Sequence, residues 1–207
     1  IPQANQNVTD PETGEEAIWT NSMFGGMPGY LISVEYPGNL GRFLISGTRK
    51  IFSVAWFIIL YFIGFYILLS SLKVKRWLAV AGAVAFGLSS YFIIILGAGH
   101  MTKANAIGFL AVVLAGVLLA YRGKPLAGSL LFAAAFSLEL LSGHLQITYY
   151  GFLMIVVYII IKLIYAIREN EFPEFLKASL YLLAGALIAL GMNFSRLYTT
   201  WEYSKET

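Results

Sequence analysis

The chain has 207 residues, 58% of them hydrophobic and 12% charged, with a formal net charge of +3 and a mean hydropathy of +0.73. So few charges cannot cover the surface of a soluble domain of this size. The absence of cysteine removes disulfide and thiol chemistry. The basic residues are scattered between apolar blocks, not gathered into a stripe, so nucleic acid is not an expected partner.

Residues 1–50 are polar and punctuated by Gly and Pro. The opening IPQANQNVTDPETGEEA is no signal peptide, and a polytopic chain beginning this way is expected to start inside a longer protein. Asp10, Glu12, Glu15 and Glu16 precede Trp19. A short interfacial helix is expected over 15–24, with Trp19 and Phe24 dipping into lipid, until the run GGMPGY breaks it. A second interfacial segment is expected at about residues 37–43.

Six apolar blocks follow, near residues 51–72, 77–97, 105–121, 125–142, 145–167 and 176–194. About 20 apolar residues at about 1.5 Å rise cross a hydrocarbon core of about 30 Å. Backbone groups in lipid must be satisfied internally, which leaves helices for such blocks. Their links are short, so neighbours run antiparallel. The expected fold is therefore all-α: a polytopic transmembrane bundle of about six spans at 51–194. An N-terminal loop (1–50) precedes it and a further segment (195–207) begins after it.

Alternate links share a side. One set carries eight basic and three acidic residues, among them Lys73, Lys75, Arg76, Arg122 and Lys124. The other side carries six basic and eight acidic residues. By the positive-inside rule the first set is cytoplasmic. The N-terminal loop, the tail and both Gly-His links then face outward.

Those links hold the chain's two histidines, in ILGAGHMTKAN and LLSGHLQITYY. The simple reading is that glycine ends a helix and a polar residue meets the interface. A functional reading gives His100 and Lys103 a phosphate, with donors added by His144 and Gln146 and a bidentate clamp by Arg196. Glu139 lies about one turn inside the outer edge of its helix. A buried carboxylate is costly unless paired or protonated, so it is a candidate site residue. A carboxylate of the N-terminal loop suits a general base acting on an acceptor hydroxyl. No cofactor motif is present. Two histidines and a carboxylate on one face would suit a divalent cation, although no His-x-x-x-His spacing supports a metal site.

The polar stretches TGEEAIWTNSMFGGMPGYLIS (13–33), YPGNL (36–40), GHMTKANAIGF (99–109), SGHLQITYY (142–150) and WEYSKET (201–207) occur in order along nearly the whole chain. They resemble the YfhO-like bacterial membrane proteins. The resemblance implies a GT-C-type glycosyltransferase that moves a sugar from a polyprenyl-phosphate carrier to an acceptor at the outer face of the cytoplasmic membrane. It implies a catalytic acid in the first outer loop, for which Asp10 is the nearest match, with Glu15 and Glu16 behind it. It implies that His100, Lys103 and His144 line the carrier phosphate site; Glu139, from its place inside an apolar helix, and Trp19, from the interfacial loop, are expected to support it. It also implies a longer protein, with one helix before this loop and more after the tail, so the implied partners are membrane lipid, the carrier and the rest of that chain. The alternative is a non-enzymatic transporter, flippase or helical subunit of a membrane complex.

Overall fold

The computed structural model describes residues 19–20, 26–28 and 40–205, and these form two separate compact units, 40–192 and the remainder. Asp10, Glu15 and Glu16 lie outside the described residues. Apart from one two-residue strand pair, the regular structure is helical, with nine α-helices among the described residues.

In the smaller unit, β1 (Trp19–Thr20) pairs antiparallel with β2 (Met27–Pro28), Trp19 opposite Pro28. The helix expected over 15–24 is therefore not formed at Trp19–Thr20. Gly26, just before β2, takes φ +122°, a backbone conformation open to glycine.

The larger unit begins with α1 (Leu40–Phe52) and α2 (Ala55–Ser71), which bend by 118° at Ser53–Val54. Of the expected interfacial segment at 37–43, residues 37–39 lie outside the described residues, and 40–43 are the start of a longer helix. Its sequence LGRFLISGTRKIF leaves Leu40, Phe43 and Ile51 exposed beside Arg49 and Lys50, a pattern suited to a membrane surface. Next come α3 (Arg76–Gly87) and α4 (Ser90–Gly97), bent by 40°, and then α5 (Met101–Ala120). The unit closes with α6 (Pro125–Leu141), α7 (Leu145–Arg168) and α8 (Phe172–Met192).

Among the described residues three helices, α5, α7 and α8, are long and apolar enough to cross a membrane, and up to five spans result if each bent pair counts as one. The shortfall against six expected blocks is α6, whose 17 residues reach about 25 Å of a roughly 30 Å core. Large apolar side chains on the outer faces, such as Trp77, Ile94, Phe152 and Leu183, are exposed. This is the surface of a multi-pass membrane protein, where lipid replaces water.

Side-chain contacts fix the directions of the helices. The α3–α4 pair runs back along α2, with Phe86 stacked on Phe65 and Phe92 against Tyr61. The α5 helix returns parallel to α2: Trp56 donates to Asn105 Oδ1 at 3.2 Å near one end, and Arg122 donates to the Ser71 carbonyl at the other. The α6 helix reverses again, with Gly116 against Phe132 and Gly128 against Ala120. The α8 helix runs parallel to α6, since Ser129 donates to the Tyr181 carbonyl and Ser137 reaches Met192. Small residues let α5 approach its neighbours closely, so it is the most buried helix. One core cluster joins α5, α6 and α8 around Val113, Val117 and Phe132; another joins α2, α4 and α5 around Phe57, Tyr61 and Phe92.

Most reversals use the same stop. Lys73, Gly99, Gly123 and Asn170 have positive φ, and each following N–H bonds back to the carbonyl five residues before it. This is the helix-end motif that favours glycine. Gly143 also has positive φ.

In the smaller unit, α9 (Phe194–Tyr203) stacks Phe194, Tyr198 and Trp201 along one exposed face, and the Lys205 ammonium sits 3.4 Å from the Trp201 ring centre. Aromatics and a cation in this arrangement suit a membrane interface.

Candidate functional site

The simple reading of the Gly-His links explains their backbone. Gly99 and Gly143 take φ of +81° and +72°, and each histidine is the N-cap of the following helix. Neither histidine side chain makes a capping hydrogen bond. The helix directions place both links at one end of the bundle, as the sequence pattern predicts.

The side chains at that end are placed differently from one another. His100 is exposed. Lys103 is half-buried, its ammonium 5.5 Å from the Tyr91 ring centre. His144 is half-buried, and its buried Nδ1 has no hydrogen-bond partner among the described residues. Gln146 donates to the Tyr150 hydroxyl at 3.1 Å. Among the described residues no hydrogen bond or ion pair joins the two histidines. No group of three His, Asp or Glu gathers among them, so His100, His144 and Glu139 do not form a divalent-cation site. Arg196 lies on α9 in the smaller unit, and Trp19 contributes its backbone to β1.

Glu139 is the most deeply placed charged residue of the expected set, at 1% exposure. Thr148 on α7 is its side-chain partner: the hydroxyl donates to the carboxylate, 2.9 Å from Oε1 and 3.1 Å from Oε2. The same hydroxyl lies 3.5 Å from the His144 carbonyl. The carboxylate is thereby tied to the turn that carries His144. Thr148 was not legible as part of a site, because its link to Glu139 arises only when the chain reverses at Gly143.

Glu139 and Thr148 line one end of an apolar cleft of about 660 Å³ between α5, α6, α7 and α8. Val113, Phe136, Ile155 and Leu182 form its walls. Tyr149 and Phe152 on α7 and Leu183 on α8 are more than half exposed, so the cleft opens sideways between these two helices. At its far end Tyr121 and Ser179 pair through their hydroxyls at 2.8 Å. The volume lies within the usual range of about 300–1,000 Å³ for small-molecule sites. An apolar space with a lateral opening and one carboxylate suits a hydrocarbon chain carrying a polar end.

Comparisons with known protein families, with curated proteins and with solved structures return no match for this chain.

Proposed function

We propose that the chain is a module of a membrane glycosyltransferase that takes a sugar from a polyprenyl-phosphate carrier and transfers it at the outer face of a bacterial cytoplasmic membrane. The observation that carries this reading is the apolar cleft between α5 and α8, open toward lipid and ending at Glu139 beside the Gly-His turns. The prenyl chain enters sideways and fills the cleft. Its phosphate then reaches the aqueous boundary at the end where His100, Lys103 and His144 reside. A carboxylate among Asp10, Glu15 and Glu16 accepts the proton of the acceptor hydroxyl. The hydroxyl oxygen bonds to the sugar carbon, the bond from that carbon to the carrier phosphate oxygen breaks, and the phosphate leaves with the electron pair, steadied by the cations.

The test uses membranes containing the protein, a photoreactive polyprenyl-phosphate analogue and a radiolabelled carrier-linked sugar. The analogue should crosslink to residues around Phe152 and Leu183, and unlabelled carrier should compete. Combined Asp10→Asn, Glu15→Gln and Glu16→Gln should lower sugar transfer by about 10²-fold or more, the size of a lost general base. Crosslinking without competition, or full transfer by the triple variant, would overturn the reading.

A second reading, a transporter or flippase, draws on the bent helix pairs, since interrupted helices mark many transport sites. It predicts carrier-lipid movement across the bilayer with no sugar transfer.

A further inference from the structure

The opposite end of the bundle carries a second cavity that the glycosyltransferase reading does not use. It measures about 190 Å³ and sits where the α5–α6 link meets the end of α7 and the start of α8. Two lysines, Lys162 and Lys177, and two glutamates, Glu171 and Glu174, line it, with Tyr121 and Tyr165 among its walls. None of these four charged side chains forms an ion pair or a hydrogen bond among the described residues. Glu171 and Glu174 flank the start of α8, where negative charge suits the helix N-terminus. That accounts for the acids, and the positive-inside rule for the side on which the lysines lie, but neither accounts for the convergence of all four around one cavity.

We infer that this cavity is a headgroup site for a zwitterionic glycerophospholipid, one bearing a phosphate and a primary ammonium. The charges lining it balance, two positive and two negative. A zwitterion satisfies both sets: the ammoniums of Lys162 and Lys177 donate to the phosphate, and the carboxylates of Glu171 and Glu174 accept from the lipid ammonium. An anionic headgroup would leave the glutamates opposed to it, and a trimethylated headgroup offers them no N–H donor. The volume is below the range of about 300–1,000 Å³ typical of larger ligands, so the cavity fits a headgroup and not a whole lipid. The acyl chains have an apolar surface to follow, because Ile164, Leu176 and Leu180 are exposed nearby on α7 and α8. Lys162 lies six residues inside the end of α7, and a lysine at that depth reaches for a polar partner.

Tyr121 separates this site from the cleft described above. It lines both cavities, is held by the Ser179 hydroxyl at 2.8 Å, and stacks on Phe175 at 5.4 Å between ring centres. The two sites therefore take different lipids from opposite ends of the bundle, and this inference stands whether or not the chain transfers sugar.

The experiment is native mass spectrometry of the purified chain exchanged into nanodiscs of phosphatidylethanolamine, phosphatidylglycerol or phosphatidylcholine. The expected result is preferential retention of phosphatidylethanolamine. Combined Lys162→Ala and Lys177→Ala should reduce that retention roughly tenfold or more, as loss of hydrogen bonds to a charged group implies. Combined Glu171→Gln and Glu174→Gln should shift the preference toward phosphatidylglycerol. These side chains line an open cavity, and unchanged helical circular dichroism would confirm that each variant is folded. Equal retention of the three lipids by the unmodified chain would overturn the inference, as would an unaltered preference in the glutamine variant.

Discussion

The α5–α6 contact gives the most direct test of how this bundle holds together. A methyl group added at Gly116 would lie 2.6 Å from the Phe132 nitrogen and 2.8 Å from its Cα and Cβ. One added at Gly128 would lie 2.6 Å from the Gly116 carbonyl oxygen and closer still to the Ala120 nitrogen. Ordinary contact begins at 3.4 Å, so the Gly116 change leaves a deficit of about 0.8 Å. The obstructing atoms belong mainly to backbone, and no rotamer change relieves them; the helices must part. A gap of about 0.5–1 Å forfeits a quarter to a half of each contact's attraction, and overpacking of this kind costs about 1–3 kcal/mol. Alanine also gains up to about 1 kcal/mol of helix propensity over glycine, which must be separated from the packing effect. Gly47 and Gly97 serve as controls, because among the described residues nothing beyond their own helix turn lies within 4 Å of the position their added methyl would occupy. Unfolding followed by circular dichroism in detergent micelles should show Gly116→Ala and Gly128→Ala about 1–3 kcal/mol less stable than Gly47→Ala and Gly97→Ala. If all four variants unfold together, close α5–α6 packing is not what stabilises the bundle.

Two further predictions concern the core and the topology. Tyr61 is 0% exposed among Phe57, Phe86 and Phe92, and its hydroxyl has no hydrogen-bond partner among the described residues. Tyr61→Phe should therefore be neutral or stabilising by about 1–2 kcal/mol in the same unfolding assay, while a loss above about 1 kcal/mol would show that the hydroxyl is satisfied. The chain has no cysteine, so His100→Cys, His144→Cys and Lys124→Cys can each be labelled alone. Positions 100 and 144 should react with an impermeant maleimide in intact cells and position 124 only after permeabilisation; labelling of 100 and 144 from opposite compartments would refute the shared end.

The later helices were legible because their apolar blocks are long and bounded by glycine or charge. The block expected at 145–167 is α7 (Leu145–Arg168), and that at 125–142 is α6 (Pro125–Leu141). The first two blocks were legible only as blocks, because their breaks depend on backbone detail. Ser53, a residue with no preference for positive φ, takes φ +51° between α1 and α2. Residues 40–52 alternate apolar and basic groups, which reads as polar loop when hydropathy is averaged and as an amphipathic helix once its faces are separated. Glu139 stood out as an acid within an apolar run, but the cleft beside it did not. Four helices enclose that cleft, and no local pattern encodes their spacing. Lys162, Lys177, Glu171 and Glu174 fall among the eight basic and three acidic residues counted on one side of the membrane, and their convergence around one cavity depends on the α7–α8 turn.

The Gly-His pairs show where backbone reasoning stops. Positive φ explains Gly99 and Gly143, because other residues are strained there. It does not explain the residue that follows. Each histidine occupies an N-cap, a position at which Asn, Asp, Ser or Thr would accept a hydrogen bond from the first turn and add about 1 kcal/mol. Neither imidazole makes that bond. The same holds at Val54, Lys75, Ser89, Lys124 and Asn193, so the missing cap bond is general to these helices and the histidines differ only in sharing the end of the bundle that holds Glu139. An exposed ring at position 100 and a buried Nδ1 at position 144 that finds no partner among the described residues leave donors and acceptors available. In the glycosyltransferase reading proposed above, a phosphate brought to this boundary by a chain lying in the cleft would use them.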